Sequence, residues 1–197
     1  MKSLKHIKTI IFLALLTIVL AACGEKVEPT MDSEVGEFTA VNQDNEEVTN
    51  EDFSGEWWVA DFVFTNCTTV CPPMTRNMSA LQDTLDEKEL NDKVQLVSFS
   101  VDPENDTPEA LTEFSEEHNA DLDNWTFLTG YDFEDIQKLS VDSFKSPVDP
   151  PLPDDDQVGH GTRFFLVDPD GNVHKNYMGT ESEAMDELAE DLEKLVG

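Results

Sequence analysis

The stretch Trp57-Trp-Val-Ala-Asp61-Phe-Val-Phe64-Thr-Asn-Cys67-Thr-Thr-Val-Cys71-Pro-Pro-Met74 sets the reading of the whole chain. Trp57 to Phe64 is a continuous apolar run broken only by Asp61, the pattern of a central strand buried on both faces. Two cysteines follow, with three residues between them, and then a proline pair. Prolines are tolerated in a helix's first turn, and Met74, Met78, Leu81 and Leu85 recur at helical spacing, so a helix is expected from Pro72 to about Glu89. Proline disfavours helical geometry in its predecessor, so Cys71 is expected as the cap or just outside the helix. Cys67 and Cys71 thus fall on a turn between a buried strand and a helix N-terminus, where partial positive charge favours a thiolate. Arg76, one turn in, adds to this only if it faces back.

Outward from this unit, Phe38–Val41 and Glu47–Thr49 read as a small N-terminal hairpin, and Val94–Val101 as the next strand. Thr107-Pro108-Glu109 opens a helix ending near Asn119, with threonine as cap and proline at its first position. Trp125–Leu128 is a short strand and Phe133–Val141 a short helix. Ser143 to Gly161 is rich in Pro and Asp and lacks periodicity, the mark of a long exposed loop with a functional or mobile role. Arg163–Val167 and Asn172–Tyr177 pair around the turn Asp168-Pro-Asp-Gly171, and Glu183–Val196 is a final amphipathic helix. The expected class is α/β: a central mixed sheet flanked by helices, within one domain over residues 35–197.

Residues 1–22 stand apart. Lys2, Lys5 and Lys8 precede an apolar run from Thr9 to Leu20 that ends Leu20-Ala-Ala-Cys23. The run is too short for a membrane span and reads as a secretory signal. Its tail resembles a bacterial lipobox, which makes Cys23 the expected lipidation site and residues 23–34 an acidic, Pro29-containing tether. Of three cysteines, Cys67 and Cys71 then remain as a pair. Outside the cytoplasm such a pair rests as a disulfide unless a reductant opens it. A loop this small removes little chain entropy, so the pair is a poor staple.

Twelve Lys and Arg face 43 Asp and Glu, for a formal net charge of −31. Nucleic-acid binding through phosphate attraction is excluded by the sign. The acidic residues are spread along the chain, as expected of a solvated surface rather than one docking patch.

His160, flanked by Gly159 and Gly161, is the imidazole that can join the two sulfurs. Cys67, Cys71 and His160 suit copper first and zinc second. The pair alone also suits thiol–disulfide exchange, or thiol-based peroxide reduction. Met74 and Met78 read as core, His118 as a helix-terminal charge, and His174, beside Lys175, as surface; His6 leaves with the signal. Asp61 is either a buried carboxylate that tunes the thiols or a residue that meets the surface.

Three blocks resemble the Sco/SenC family of copper-binding proteins: Phe64-Thr-Asn-Cys67-Thr-Thr-Val-Cys71-Pro72; Ser98-Phe-Ser-Val-Asp-Pro103 with Asp106-Thr-Pro108; and Gly159-His160-Gly-Thr-Arg-Phe-Phe-Leu-Val-Asp-Pro-Asp-Gly171. They occur in family order, and the likeness runs from about Val35 to the C-terminus. Thr68-Thr69 stand where many relatives place proline or an acidic residue. The resemblance implies a thioredoxin-like fold and a lipid-anchored protein of the cell membrane facing outside the cytoplasm. It also implies copper, Cu(I) or Cu(II), held by Cys67, Cys71 and His160. The family assists assembly of the binuclear copper centre of cytochrome c oxidase subunit II, by delivering copper or by reducing the target cysteines. That is a metallochaperone's role rather than a turnover enzyme's. The alternative is a tethered oxidoreductase using Cys67 and Cys71 without metal, and a thiol reductase is a further expected partner.

Overall fold

The computed structural model describes residues 26–153 and 156–197; the expected signal and the Cys23 lipidation site lie outside the described residues. The strands are β1 (Ser33–Glu34), β2 (Thr39–Asn42), β3 (Glu47–Thr49), β4 (Trp57–Val63), β5 (Val94–Ser100), β6 (Trp125–Thr129), β7 (Val148–Asp149), β8 (Gly159–His160), β9 (Arg163–Val167) and β10 (Asn172–Met178). The helices are α1 (Cys71–Glu87), α2 (Pro108–Glu117), α3 (Phe133–Phe144) and α4 (Ser182–Val196). Eight strands form one mixed sheet in the order β1-β10-β9-β4-β5-β6-β2-β3. β4, β5 and β6 run parallel, β9 lies antiparallel on the other side of β4, and the β2–β3 hairpin extends the sheet beyond β6.

Alternation along β4 divides the core. Trp58, Ala60 and Phe62 face a cluster containing Phe99, Phe165 and, from α3, Ile136 and Phe144. Val59 faces the opposite way, onto Met74, Met78, Leu81 and Leu85 of α1, Leu111 and Phe114 of α2, and Leu188 and Leu192 of α4. Side chains of a strand alternate between faces, so a strand covered on both sides must be apolar at nearly every position. β4 is, except at Asp61.

Away from the cysteine turn, the structure departs from the sequence reading in four places. α3 runs on to Phe144, because that ring packs 5.4 Å from Phe62 and 5.1 Å from Phe165, centroid to centroid. Lys145, at φ 54°, then ends the helix in the left-handed region. The segment read as one long exposed loop is pinned: β7 pairs with β8, Val148 opposite His160, and Ser146, Val148 and Val158 are buried. Part of the stretch read as a tether joins the sheet edge, with Ser33 opposite Val173 on β10. His174 is not a plain surface residue. Its Nε2–H donates to the Val27 carbonyl at 3.1 Å, and its ring stands edge-on to Trp57.

Phe62 is fully buried and lies among the rings of Phe99, Phe144 and Phe165. Phe62→Ala is expected to cost about 3–5 kcal/mol, from lost burial plus the cavity left behind. Urea unfolding monitored by tryptophan fluorescence checks this; a loss below about 1 kcal/mol would mean that the core collapses freely at this point.

Candidate metal centre

The site forms where β4 leaves the sheet. In an open sheet with parallel strands, ligands bind outside the strands' carboxyl ends. Beyond Val63 the chain must satisfy its backbone groups without strand neighbours, and a buried carboxylate provides for this. Asp106 accepts from the Thr65 N–H at 3.2 Å and the Thr65 hydroxyl at 2.6 Å, and from the Ser100 hydroxyl at 2.6 Å. The Cys67 N–H then donates to the Phe64 carbonyl at 3.2 Å, closing the turn.

Cys71 is the first residue of α1, not its cap, which corrects the expectation drawn from Pro72. The N-cap is Val70, at φ −98° and ψ −27°, and it has no side chain able to cap. The Cys67 sulfur takes that part, accepting the Cys71 N–H at 3.3 Å. Proline's effect on its predecessor is a bias, and a partner for the otherwise orphaned N–H offsets it. The same contact directs helix-terminal positive potential at Cys67 Sγ.

His160 arrives from the other end of the chain. The β7–β8 ladder holds its backbone, and Gly161 lies so close to Ser146 that a Cβ there would collide with the serine hydroxyl. The His160 ring stands edge-on to Phe64, centroids 5.8 Å apart. Its Nδ1–H donates to the Gly161 carbonyl at 2.9 Å, which leaves Nε2 as the acceptor in the neutral ring. Nε2 sits 3.2 Å from Cys71 Sγ. The donor atoms of Cys67, Cys71 and His160 all lie within 4.8 Å of one another. Both cysteines are free thiols here, Cys71 fully buried and Cys67 nearly so.

The two thiols are not equivalent. The Cys67 thiol is pushed far down, chiefly by the hydrogen bond from Cys71, which outweighs burial; His160 and the backbone N–H groups of Thr69 and Cys71 add to this. The Cys71 thiol is pushed up by holding its proton for Cys67, then by burial, then by the nearby Cys67 and Asp61 charges. In the metal-free pair a thiolate is therefore favoured on Cys67 over Cys71. Two thiols and one imidazole in such reach fit a single soft or borderline cation, copper or zinc.

Asp61 is buried. Its Oδ1 accepts from the Ser98 hydroxyl at 2.6 Å, Ser98 in turn accepts from Trp125 Nε1 at 2.9 Å, and Oδ2 is buried without a hydrogen-bond partner. Burial pushes its pKa up to about 7, against the opposing influence of the Ser98 bond and of nearby His160. The other candidates stay out of the site. Met74 and Met78 are core residues packed among α1, α4 and the sheet. His118 ends α2 and packs tilted against the Phe114 ring, with centroids 4.5 Å apart. Arg76 is exposed, and its charge acts on His118.

Sequence reasoning missed three contributors. Asp106 lay inside a quoted motif without an assigned role. Asn66 and Gln157 carried no signal, because Gln157 reaches backbone. Its Nε2–H donates to the Asn66 carbonyl at 3.0 Å, and its Oε1 accepts from the Thr68 N–H at 3.1 Å.

The sign of the Asp61 shift makes a prediction. A folded-state pKa of about 7 against the ordinary 3.8 means that the folded protein holds a proton the unfolded chain releases. Stability from this group is therefore present below about pH 4 and lost as pH rises through 7. Asp61→Asn cannot ionise, so relative to the parent it gains on the order of 2–4 kcal/mol between pH 4 and pH 8. Denaturant unfolding of both proteins at the two pH values measures this; a pH-independent difference would refute the assignment.

Comparison with known proteins agrees with the geometry. The SCO1/SenC family model matches residues 27–197. The chain is 45% identical over 179 residues to the SCO1 protein homolog of Bacillus subtilis, covering 90% of this chain and 91% of that one. It spans only 50% of the mitochondrial SCO1 homolog of Homo sapiens, at 28% identity. A SCO1/SenC family lipoprotein from Bacillus anthracis superposes with a TM-score of 0.81 at 44% identity, covering 88% of this chain and 100% of that one. BsSco, a member of the Sco family of cytochrome c oxidase assembly proteins in which a disulfide switch was identified, gives 0.75 at 39% identity, covering 87% and 99%. Arabidopsis thaliana ScoI, solved with copper bound, gives 0.68 at 25% identity, covering 83% and 98%. Sequence match, thioredoxin-like fold and the Cys-Cys-His cluster agree, and the chain belongs to the SCO1/SenC family.

Proposed function

We propose that this protein carries copper as cargo on Cys67, Cys71 and His160, and that it serves assembly of the binuclear copper centre in cytochrome c oxidase subunit II. The convergence of three soft or borderline donors within 4.8 Å carries the reading. Copper is favoured over zinc because a plant relative of this family was solved with copper bound. The Cys67 thiolate and, once deprotonated, Cys71 hold Cu(I); the His160 Nε2 lone pair adds the borderline donor that Cu(II) takes readily. No closing of the loop is needed to bring His160 in, since Nε2 already lies 3.2 Å from Cys71 Sγ. A site formed in advance lowers the ordering cost of capture.

The domain layout belongs to the same reading: residues 1–22 as an export signal, lipid on Cys23, a tether through about residue 34, and the copper-binding domain over 35–197. The lipoprotein relative from Bacillus anthracis supports anchorage facing outside the cytoplasm. Among the described residues no helix is long and apolar enough to cross a membrane.

A second reading is favoured by the unequal thiols. The Cys67 thiolate attacks a target disulfide, and one target sulfur leaves as thiolate. Cys71 then gives up its proton and displaces Cys67's partner sulfur, so a Cys67–Cys71 disulfide forms and two electrons pass to the target pair. The disulfide switch identified in BsSco supports this chemistry. A thiol reductase would restore the pair.

Two measurements test the readings. In the reduced protein, His160→Ala is expected to weaken Cu(II) by at least the roughly 10–100-fold typical of losing a supporting contact, with Cu(I) affected much less. Competition titration and the sulfur-to-Cu(II) charge-transfer band report this. Unchanged Cu(II) affinity and spectrum would remove His160 from the site. Rescue of a deletion strain by a general thiol reductant, but not by copper, would favour the second reading.

A further inference from the structure

Gln157 is half-buried, three residues before His160, and its side-chain amide lies against the cysteine turn like a short piece of strand. It donates to the Asn66 carbonyl at 3.0 Å and accepts from the Thr68 N–H at 3.1 Å, with the Thr68 hydroxyl at 3.3 Å. Those two backbone groups flank Cys67 on either side. Next to it Asp156 accepts from Asn66 Nδ2 at 2.8 Å, a bond between side chains, whereas both Gln157 bonds grip the backbone of the cysteine turn. The β7–β8 ladder ties His160 to Val148 and so to the exit of α3, not to the cysteines. Two paired residues are also a marginal ladder. The cysteine turn, by contrast, has its own supports in Asp106 and the N-terminus of α1.

We propose that Gln157 is a positioning residue that latches the His160 segment onto the backbone on both sides of Cys67, and so sets the imidazole in reach of the sulfurs before any metal arrives. This deepens the copper reading and rests on it. The latch accounts for a formed site in a metal-free protein. It also predicts a division of effects, because losing the latch frees His160 while Asp106 keeps the two cysteines in place. Thr68 fits the scheme, since its hydroxyl and N–H both point to Gln157, where a proline would offer neither.

The test begins without metal. In the reduced, metal-free protein a proton nuclear Overhauser contact between the Phe64 and His160 rings is expected, and in Gln157→Ala it should weaken or vanish. Gln157→Glu conserves volume and the acceptor to Thr68 but cannot donate to the Asn66 carbonyl, and it should lose the contact as well. In copper titrations, Gln157→Ala should weaken Cu(II) roughly 10–100-fold, as loss of a supporting partner does, with a much smaller change for Cu(I). In a His160→Ala background the same substitution should add no further loss, because the two residues act through one step. Persistence of the ring contact in both variants would overturn the latch, as would an equal copper loss with and without His160. A parent protein that binds no copper would instead sink the copper reading, and the ring contact would still decide the latch.

Discussion

A strand buried on both faces has to find new hydrogen-bond partners where it leaves the sheet, and the rest of this protein's chemistry follows from how β4 does so. Asp106, itself buried, takes the Thr65 backbone and hydroxyl in place of a neighbouring strand. Its own position is held by Ser100 at the end of β5, and Thr129 at the end of β6 donates to the Asp106 carbonyl. Three parallel strand ends are thereby joined at one residue, β4 and β5 through its carboxylate and β6 through its backbone carbonyl, and the turn bearing Cys67 departs from a fixed point. The desolvation cost of that carboxylate is offset by three donors, the condition under which buried acids are tolerated.

From that point the helix terminus does the electrostatic work. Val70 cannot cap α1, so the Cys67 sulfur does, and capping and thiolate stabilisation are one contact. The Cys71 side chain leads inward, towards His160 and the potential of Asp61. Identical side chains thus acquire opposite tendencies: Cys67 gives up its proton and Cys71 keeps it. Either proposed activity uses that difference. A cation replaces the shared proton, and a disulfide exchange begins from the thiolate.

The strong negative charge is handled locally. Where β10 meets α4, Lys175 bridges Glu187 and Asp191, and the Tyr177 hydroxyl donates to Asp191. Many other carboxylates are exposed, where water and salt screen them. The candidate Cys-Cys-His centre is built of neutral or singly ionised groups, so the acidic surface does not decide its donor set.

Much of the fold was legible because its signals are local. The two-face burial of β4, the Thr107 cap before Pro108, the Asp168–Gly171 turn and the amphipathic last helix each depend on neighbours a few residues away, where periodicity and backbone chemistry speak directly. The sulfur pair was legible for the same reason, since four positions of chain keep it together. What sequence alone could not decide was distance across the fold. Cys71 and His160 are 89 residues apart, and their 3.2 Å contact depends on how the sheet brings β8 beside the end of β4. The burial of Asp61, the roles of Asp106 and Gln157, and the docking of residues 30–34 on β10 are equally non-local. A glutamine whose partners are backbone groups leaves no trace in side-chain pattern, because any sequence at Asn66 and Thr68 presents the same carbonyl and all but proline the same N–H.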